Sequence, residues 1–154
     1  MDSPARILVI DDDESIRKVL KMILEEEGYV VDTAKSGKEA IAKSHAKFYN
    51  LALIDIRLPD MEGTGLLTAM KETTPKMVKI IVTGYPSLQN AIEAVNKGAD
   101  AYVLKPFNVV DVLNTIRDYL ERQHEAKKYS QEKVAEFIET RAKELEAIAH
   151  KKQH

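Results

Sequence analysis

The sequence predicts an α/β fold in which a five-stranded parallel sheet is covered by helices on both faces. Apolar runs of strand length alternate five times with segments whose apolar residues recur at helical spacing. The connections between these segments are short. Because parallel neighbours need a crossover between them, the alternation indicates a doubly wound sheet with a helix after each strand.

Five apolar runs supply the predicted strands. They are Arg6–Ile10, Tyr29–Thr33, Leu51–Asp55, Lys79–Val82 and Ala101–Leu104. The third run organises the fold, because it is apolar up to Asp55 and is followed at once by a Pro/Asp/Gly cluster. Strands of this kind are typically buried on both faces, so the end of the strand is where a carboxylate can meet water.

Five amphipathic segments supply the predicted helices. Their apolar residues are Ile16, Val19, Leu20, Ile23 and Leu24 in the first, Ala40, Ile41 and Ala42 in the second, Leu66, Leu67 and Met70 in the third, Leu88, Ala91, Ile92 and Val95 in the fourth, and Val109, Val112, Leu113, Ile116 and Leu120 in the fifth. Gly28 and Gly98 are placed to end the first and fourth helices, and Ser87 and Asn108 to cap the start of the fourth and fifth. The third helix is expected to stop near Thr73-Thr74-Pro75.

Length and composition allow one hydrophobic core with an appendage. The chain has 154 residues, of which 44% are hydrophobic and 31% charged, and it has no cysteine, which excludes disulfides and thiolate chemistry. A net charge of −2 gives no electrostatic signature of binding to nucleic acid or an anionic membrane. There is no signal-peptide pattern and no apolar run of the roughly 20 residues that cross a membrane. We therefore expect a cytoplasmic protein without a membrane segment or direct nucleic-acid binding.

Polar side chains follow or end four of the predicted strands. Asp11-Asp12-Asp13 come after the first, Asp55 ends the third, Thr83 follows the fourth and Lys105 follows the fifth. In doubly wound sheets, functional sites gather beyond the carboxyl ends of the strands, where the strand order reverses. The pattern therefore predicts that these side chains meet.

Such a cluster suits phosphoryl transfer to a carboxylate. Carboxylates in one crevice repel one another and need a cation, and oxygen ligands of this kind suit Mg²⁺. Lys105 adds a positive charge and Thr83 a hydroxyl, which together would stabilise a phosphoryl group attacked by Asp55. Each residue alone also has an ordinary interpretation, because an acidic triplet commonly caps a helix and a single Asp or Lys-Pro commonly ends a strand.

The residues at the strand ends fall into four motifs. These are Val-Ile-Asp11-Asp12-Asp13, Leu-Ile-Asp55-Ile-Arg-Leu-Pro59-Asp60-Met61-Glu-Gly63, Ile-Val-Thr83-Gly84 and Tyr102-Val-Leu-Lys105-Pro106-Phe107. Together they closely resemble the receiver domain of two-component response regulators, over roughly residues 5–122. No position that the family requires departs from its pattern. The resemblance implies a flavodoxin-like receiver domain at residues 1–122, with residues 123–154 outside it.

The resemblance implies a role for each acidic residue and for the lysine. Asp55 would accept a phosphoryl group from the phosphohistidine of a sensor histidine kinase. Mg²⁺ would be held by Asp12, Asp55 and the main-chain carbonyl of Arg57, with Asp11 contributing through water. Lys105 would pair with the phosphoryl oxygens. The protein would not be an enzyme beyond its own phosphorylation and dephosphorylation.

The resemblance also implies a switch. Thr83 would move to hydrogen-bond the phosphoryl group while Tyr102 swings inward, which would change the surface around the fourth helix, fifth strand and fifth helix. Arg57 and Tyr85 match variable positions beside the site that tune the lifetime of the phosphoryl group. The Lys105-Pro106 peptide bond is expected to be cis.

Residues 123–154 differ in composition from the rest of the chain. They are strongly charged, and a narrow apolar stripe on one helical face holds Val134, Ile138, Ala142, Leu145, Ile148 and Ala149. Two interpretations stay open: a coiled coil that supports a homodimer, and a solvated extension of the fifth helix or linker to an absent output domain. No helix-turn-helix pattern or Gly-Lys-Ser/Thr phosphate-binding motif is present, so output would act through a partner or another domain.

Two rival functions fit part of the sequence. The first is a haloacid-dehalogenase-like phosphatase or phosphotransferase, whose nucleophile follows the first strand in an Asp-x-Asp pattern that Asp11 and Asp13 match. Such enzymes usually need a larger cap or chain. The second is an interaction protein in which residues 123–154 dimerise constitutively and the pocket is vestigial.

Overall fold

The computed structural model describes the backbone of residues 3–153 and the side chains of residues 3–151. The strands are β1 (Arg6–Ile10), β2 (Val30–Ala34), β3 (Leu51–Asp55), β4 (Val78–Thr83) and β5 (Ala101–Leu104). All pair in parallel, in the order β2-β1-β3-β4-β5. This is the flavodoxin-like order, so the predicted fold class is confirmed. The outer bounds of the predicted domains, residues 1 and 154, lie outside the described residues.

Five helices follow the strands. They are α1 (Glu14–Glu26), α2 (Gly37–Ala46), α3 (Gly63–Ala69), α4 (Leu88–Asn96) and α5 (Val109–Gln153). The predicted start signals are confirmed, since Ser87 Oγ accepts the Asn90 N–H at 3.0 Å and Asn108 Oδ1 accepts the Asp111 N–H at 3.2 Å. The predicted stop signals are confirmed as well, because Gly28 and Gly98 have φ values of 95° and 97°.

Each face of the sheet has its own apolar core. Ile7 and Val9 of β1 pack on the side that holds the buried leucines of α1 and the start of α5, whereas Leu8 and Ile10 pack on the side of α2, α3 and α4. Successive strand residues point to opposite faces, so a strand that is apolar throughout fills both cores. The carboxyl ends of the strands are left as the edge where polar groups can gather.

The third helix is shorter than the sequence predicts. It ends at Ala69, and Met70 already has the extended values φ −72° and ψ 155°. Two contacts from outside the helix replace its next turn. The Lys71 N–H donates to Ser44 Oγ at 3.1 Å, and the buried ammonium of Lys79 donates to the Leu67 carbonyl at 2.6 Å. Tertiary hydrogen bonds, and not the proline further on, therefore end this helix.

Contacts divide the chain after Leu120. The first unit contains the sheet with its two cores. The second unit, from Glu121 onward, is helical, and all its side chains from residue 124 to residue 151 are exposed. The predicted helical extension of the fifth helix is thus confirmed. None of the helices in the described part of the chain combines the length and hydropathy needed to span a membrane.

Candidate functional site

The site forms where the strand order reverses, between β1 and β3. Ile10 and Ile54 are partners in the parallel register of these two strands. The next residues along the chain, Asp11 and Asp55, therefore leave the sheet side by side at its carboxyl edge.

Three carboxylates come together at this edge. Asp11, Asp12 and Asp55 each offer an oxygen, and these atoms lie within 4.8 Å of one another. Asp11 and Asp55 expose only 4% and 9% of their surfaces, whereas Asp12 is exposed. Asp13 does not join them, because its carboxylate accepts the Ile16 N–H at 3.1 Å and caps α1. The capping that the sequence allowed for the acidic triplet is thus confirmed for Asp13, whereas Asp11 and Asp12 lie in the carboxylate cluster.

Lys105 places a positive charge beside the carboxylates. Its Nζ lies 2.8 Å from Asp11 Oδ2 and 3.6 Å from Asp55 Oδ2. Burial opposes the charged form of the ammonium, but the hydrogen bond and charge of Asp11 and the charge of Asp55 outweigh it, so the pKa of Lys105 is raised. The Lys105–Pro106 peptide bond is cis, as the resemblance implies.

Asp55 is held in an environment that disfavours its charged form. Burial, followed by the negative charge of Asp11, raises the pKa of the Asp55 carboxyl. The N–H of Arg57, 3.2 Å from Asp55 Oδ1, and the Lys105 ammonium oppose that rise without cancelling it. One monovalent cation therefore does not balance this cluster of acidic groups. A close set of hard oxygen donors that needs further positive charge fits Mg²⁺.

Thr83 and Tyr102 both present hydroxyl groups in the interior. Thr83 is fully buried at the end of β4; its Oγ1 accepts the Tyr85 N–H at 2.9 Å, and its carbonyl accepts the Lys105 N–H at 2.7 Å. Tyr102 packs against the core under α2, α3 and α4, and its buried hydroxyl has no hydrogen-bond partner among the described residues. The Thr83 hydroxyl is thus held by the chain that follows β4, and the Tyr102 hydroxyl is left unsatisfied within the described part of the chain.

Arg57 and Tyr85 form a stacked pair. The Arg57 guanidinium carbon lies 3.9 Å from the centre of the Tyr85 ring, and 60% of Tyr85 is exposed. Each residue lies two positions beyond a site residue, Asp55 or Thr83. The sequence predicts roles for them separately, but only the structure reveals the contact between them.

Two residues that matter for the site were not assigned a role from the sequence. Gly63 lies so close to the acceptor strand that a Cβ there would fall 2.2 Å from the carbonyl oxygen of Asp55. Asp60 accepts the N–H groups of Gly37 and Lys38 at 2.8 and 2.9 Å, which ties the loop after β3 to the start of α2. The Pro/Asp/Gly cluster was a visible signal of a loop, but its contacts lie 22 and 23 residues away in the chain.

Comparison with known proteins places the chain in a family. A sequence profile of the response regulator receiver domain matches residues 7–117. This chain therefore belongs to the response regulator receiver domain family.

Several relatives are longer proteins. The transcriptional regulatory protein TrcR of Mycobacterium tuberculosis is 32% identical over 120 residues, which cover 78% of this chain and 47% of TrcR. The transcriptional regulatory protein SrrA of Staphylococcus aureus is 32% identical over 146 residues, which cover 94% of this chain and 60% of SrrA. The chain thus spans about half to three-fifths of the length of these relatives.

Solved structures agree with the fold. A CheY-like receiver domain protein from Methanospirillum hungatei JF-1 is 49% identical, with a TM-score of 0.78 and coverage of 80% of this chain and 99% of that one. The beryllofluoride-activated NtrC4 receiver domain, solved in solution as a dimer, is 42% identical, with a TM-score of 0.71 and coverage of 77% and 98%.

Proposed function

We propose that this receiver domain is a phosphorylation-dependent switch in which Asp55 accepts a phosphoryl group from a sensor histidine kinase. One observation carries the proposal. The nearly buried carboxylate of Asp55 lies with Asp11 and Asp12 in a group whose negative charge exceeds the one positive charge of Lys105, the ion-pair partner of Asp11 and Asp55 among the described residues. Such a site is prepared for added positive charge and for an incoming phosphoryl group.

The chemistry is a transfer between two side chains. A carboxylate oxygen of Asp55 forms a bond to phosphorus as the bond from phosphorus to the kinase imidazole breaks, and that electron pair leaves with the imidazole nitrogen. Asp12, Asp55 and the carbonyl of Arg57, with Asp11 through water, would hold Mg²⁺, which neutralises charge on the phosphoryl oxygens when bound. Lys105, 3.6 Å from Asp55 Oδ2, is placed to pair with a further oxygen. Hydrolysis of the aspartyl phosphate would then reset the site. We propose that the chain catalyses no reaction beyond its own phosphorylation and dephosphorylation.

The geometry supports Asp55 over the phosphatase alternative. That alternative needs Asp11 as nucleophile and Asp13 beside it as the proton donor. Asp13 is occupied as the cap of α1, and both carboxylate oxygens of Asp11 accept hydrogen bonds, from the Asp13 N–H at 2.9 Å and from Lys105 at 2.8 Å. Asp11 is therefore better placed to position a cation than to attack.

Thr83 and Tyr102 are the proposed switch residues. In this structure Thr83 Oγ1 accepts the Tyr85 N–H, and its own hydrogen is available for a phosphoryl oxygen. The Tyr102 hydroxyl is buried without a hydrogen-bond partner among the described residues, which costs about 1–3 kcal/mol and makes the inward position one of two competing states. Movement of Thr83 towards the phosphoryl group would shift that balance and alter the surface of α4, β5 and α5.

Arg57 and Tyr85 are proposed to tune the phosphoryl lifetime as one unit. Their 3.9 Å stacking contact links the loops that follow β3 and β4. A stacked pair hinders water better than two independent side chains, because each holds the other in place. We therefore propose that the intact pair slows hydrolysis of the aspartyl phosphate.

The proposed partners are a sensor histidine kinase and an output partner or domain. The named relatives are transcriptional regulatory proteins of which this chain spans only part, so transcriptional output belongs to this proposal and would reside outside the chain. We place the reaction in the cytoplasm, with no direct contact of this chain with nucleic acid or membrane. The chain is also proposed to self-associate.

Labelling by a small phosphodonor tests this function. With acetyl phosphate and Mg²⁺, the wild-type chain should incorporate a phosphoryl group, Asp55→Asn should incorporate none, and Asp11→Asn should retain slower labelling. Asp13→Asn, which alters an acidic residue at the cap, is the matched control and should label at the wild-type rate. Loss of label in Asp11→Asn with full labelling of Asp55→Asn would favour the phosphatase alternative.

A further inference from the structure

The second unit of the chain carries a seven-residue repeat. Glutamates occur at every seventh position, at Glu125, Glu132, Glu139 and Glu146. Ala135, Ala142 and Ala149 repeat with the same period, and so do Ile138 and Leu145. In the heptad notation abcdefg, we assign the alanines to a, which places Ile138 and Leu145 at d and the four glutamates at e; Lys128 and Gln131 then occupy a and d of the preceding heptad.

The apolar side of this repeat is open to solvent. The larger side chains along it are half exposed: 54% for Val134, 61% for Ile138, 52% for Leu145 and 47% for Ile148. An isolated helix is only marginally stable in water, and in proteins most helical stability comes from covering an apolar face. The stripe therefore fits a helix that is completed by a partner.

The charges identify a second copy of this chain as the partner. In a parallel pair in register, each g residue lies beside the e residue of the other helix, five positions further along. Of the four g residues, Lys127 and Arg141 are basic and then face Glu132 and Glu146 of the second copy, which gives opposite charges at both places, whereas Val134 and Ile148 are apolar. By two-fold symmetry each pairing occurs twice, so the stripe is complementary to itself.

An antiparallel pair is disfavoured by the same charges. Antiparallel packing puts e residues beside e residues, so the glutamate row of one helix would face the glutamate row of the other. Within one chain, Arg141 pairs with Glu144 at 3.0 Å and Glu139 with Lys143 at 3.3 Å. These are exposed pairs that can exchange for contacts across an interface at little cost.

We propose that residues 123–151 of two copies form a parallel coiled coil in register. This contact lies outside the receiver unit, and it does not depend on phosphorylation of Asp55. In each chain the receiver domain precedes the repeat, so parallel pairing joins both receiver domains to the same end of the coiled coil. This raises the effective concentration of one receiver domain at the other.

Cysteine cross-linking in the full chain tests the orientation. The protein has no cysteine, so single substitutions report without background. Gln131→Cys and Leu145→Cys, both at d, should each form a disulfide-linked dimer under mild oxidation. Glu136→Cys, at the outward b position, is the control and should not. In an antiparallel pair, positions 131 and 145 cannot both lie beside the same position of the second helix. If a mixture of the two variants cross-links but neither variant cross-links by itself, the proposal is overturned.

Charge reversal tests the specificity. Arg141→Glu places like charges at two symmetry-related contacts and should weaken dimerisation about tenfold in sedimentation equilibrium. The double variant Arg141→Glu/Glu146→Arg should recover wild-type affinity, whereas Lys133→Glu at the outward f position should leave it unchanged. A wild-type chain that stays monomeric at high concentration would overturn the proposal. Dimerisation that requires residues 123–151 and is unaffected by beryllofluoride and Mg²⁺ would agree with the proposed coiled coil. Phosphorylation of Asp55 is decided separately, by the labelling experiment.

Discussion

Lys105 Nζ lies 2.8 Å from Asp11 Oδ2, closer than the 3.6 Å that separates it from Asp55 Oδ2. The lysine thus engages the carboxylate that we assign to metal binding more closely than the one that we assign to phosphoryl transfer. Asp55 Oδ2 is consequently held less tightly than Asp11 Oδ2, which agrees with its proposed attack on phosphorus, and Lys105 offsets the mutual repulsion of the acidic residues.

Replacing Lys105 should destabilise the chain in the absence of Mg²⁺. Lys105→Met leaves Asp11 and Asp55 without their nearest cation, and we expect the free energy of unfolding to fall by about 1–2 kcal/mol. Urea unfolding in EDTA measures this loss, and saturating MgCl₂ should recover part of it. Because the pKa of Lys105 is raised in the folded chain, its contribution is present at neutral pH and is lost only as the pH rises through that pKa.

Lys97 provides the matched control for this experiment. Its ion pair with Glu93 is exposed and joins residues one helical turn apart at 2.8 Å. Lys97→Met should therefore change the free energy of unfolding by less than about 0.5 kcal/mol, with no dependence on Mg²⁺. Equal losses for the two variants would contradict a special role for Lys105.

Replacing Asp55 should stabilise the metal-free chain. Burial and the charge of Asp11 raise the pKa of Asp55 above its ordinary value of 3.8, so the folded chain binds a proton more readily than the unfolded chain does. The contribution of this group to stability therefore decreases as the pH rises through the raised pKa, and at neutral pH the charged form is unfavourable. Asp55→Asn should raise the melting temperature in EDTA at neutral pH, and the gain should shrink in acid.

Added Mg²⁺ should reverse that difference. The wild-type chain should gain stability on addition of MgCl₂, and Asp55→Asn should gain much less, because one ligand has lost its charge. Thermal unfolding of both chains, with and without the metal, measures the effect. A lower melting temperature for Asp55→Asn in EDTA would show that Asp55 is not held in an unfavourable environment.

The sequence could predict the fold and the meeting of the strand ends for a topological reason. Once strands alternate with helices, the carboxyl ends of parallel strands share one edge, so Asp11, Asp55 and Lys105 had to approach one another. The division of labour between Asp11 and Asp13 could not be predicted, because it depends on how α1 starts. The early end of α3 depends on a hydrogen bond from Lys79, twelve residues beyond Leu67. Contacts of this kind leave no local signal in the chain.

The unsatisfied hydroxyl of Tyr102 predicts a stabilising substitution. Tyr102→Phe removes a buried polar atom that has no partner among the described residues, and the free energy of unfolding should rise by about 1 kcal/mol. Tyr119→Phe is the control, because its hydroxyl donates to the Asp100 carbonyl at 2.7 Å, and its loss should lower stability by about 0.5–1 kcal/mol. Denaturant unfolding of both variants would show opposite signs, and a loss of stability in Tyr102→Phe would contradict this account of the inward tyrosine.

The stacking of Arg57 on Tyr85 predicts coupled effects on the phosphoryl lifetime. Arg57→Ala and Tyr85→Ala should each speed hydrolysis of the aspartyl phosphate, and the double variant should be little faster than either single one. A coupling of about 0.5–1 kcal/mol corresponds to roughly two- to fivefold non-additivity in rate. Loss of radiolabel over time measures all four chains, and simple multiplication of the two single effects would indicate that the residues act independently.

Chemical trapping of the phosphorylated residue would identify the phosphoacceptor in the intact chain. Borohydride reduces an aspartyl phosphate to homoserine, which mass spectrometry of peptides can locate in the unsubstituted chain. After incubation with a phosphodonor and Mg²⁺, we predict homoserine at position 55 and at no other aspartate, with none formed in EDTA. Homoserine at position 11, or its absence from position 55 under these conditions, would contradict the assignment of Asp55 as the phosphoacceptor.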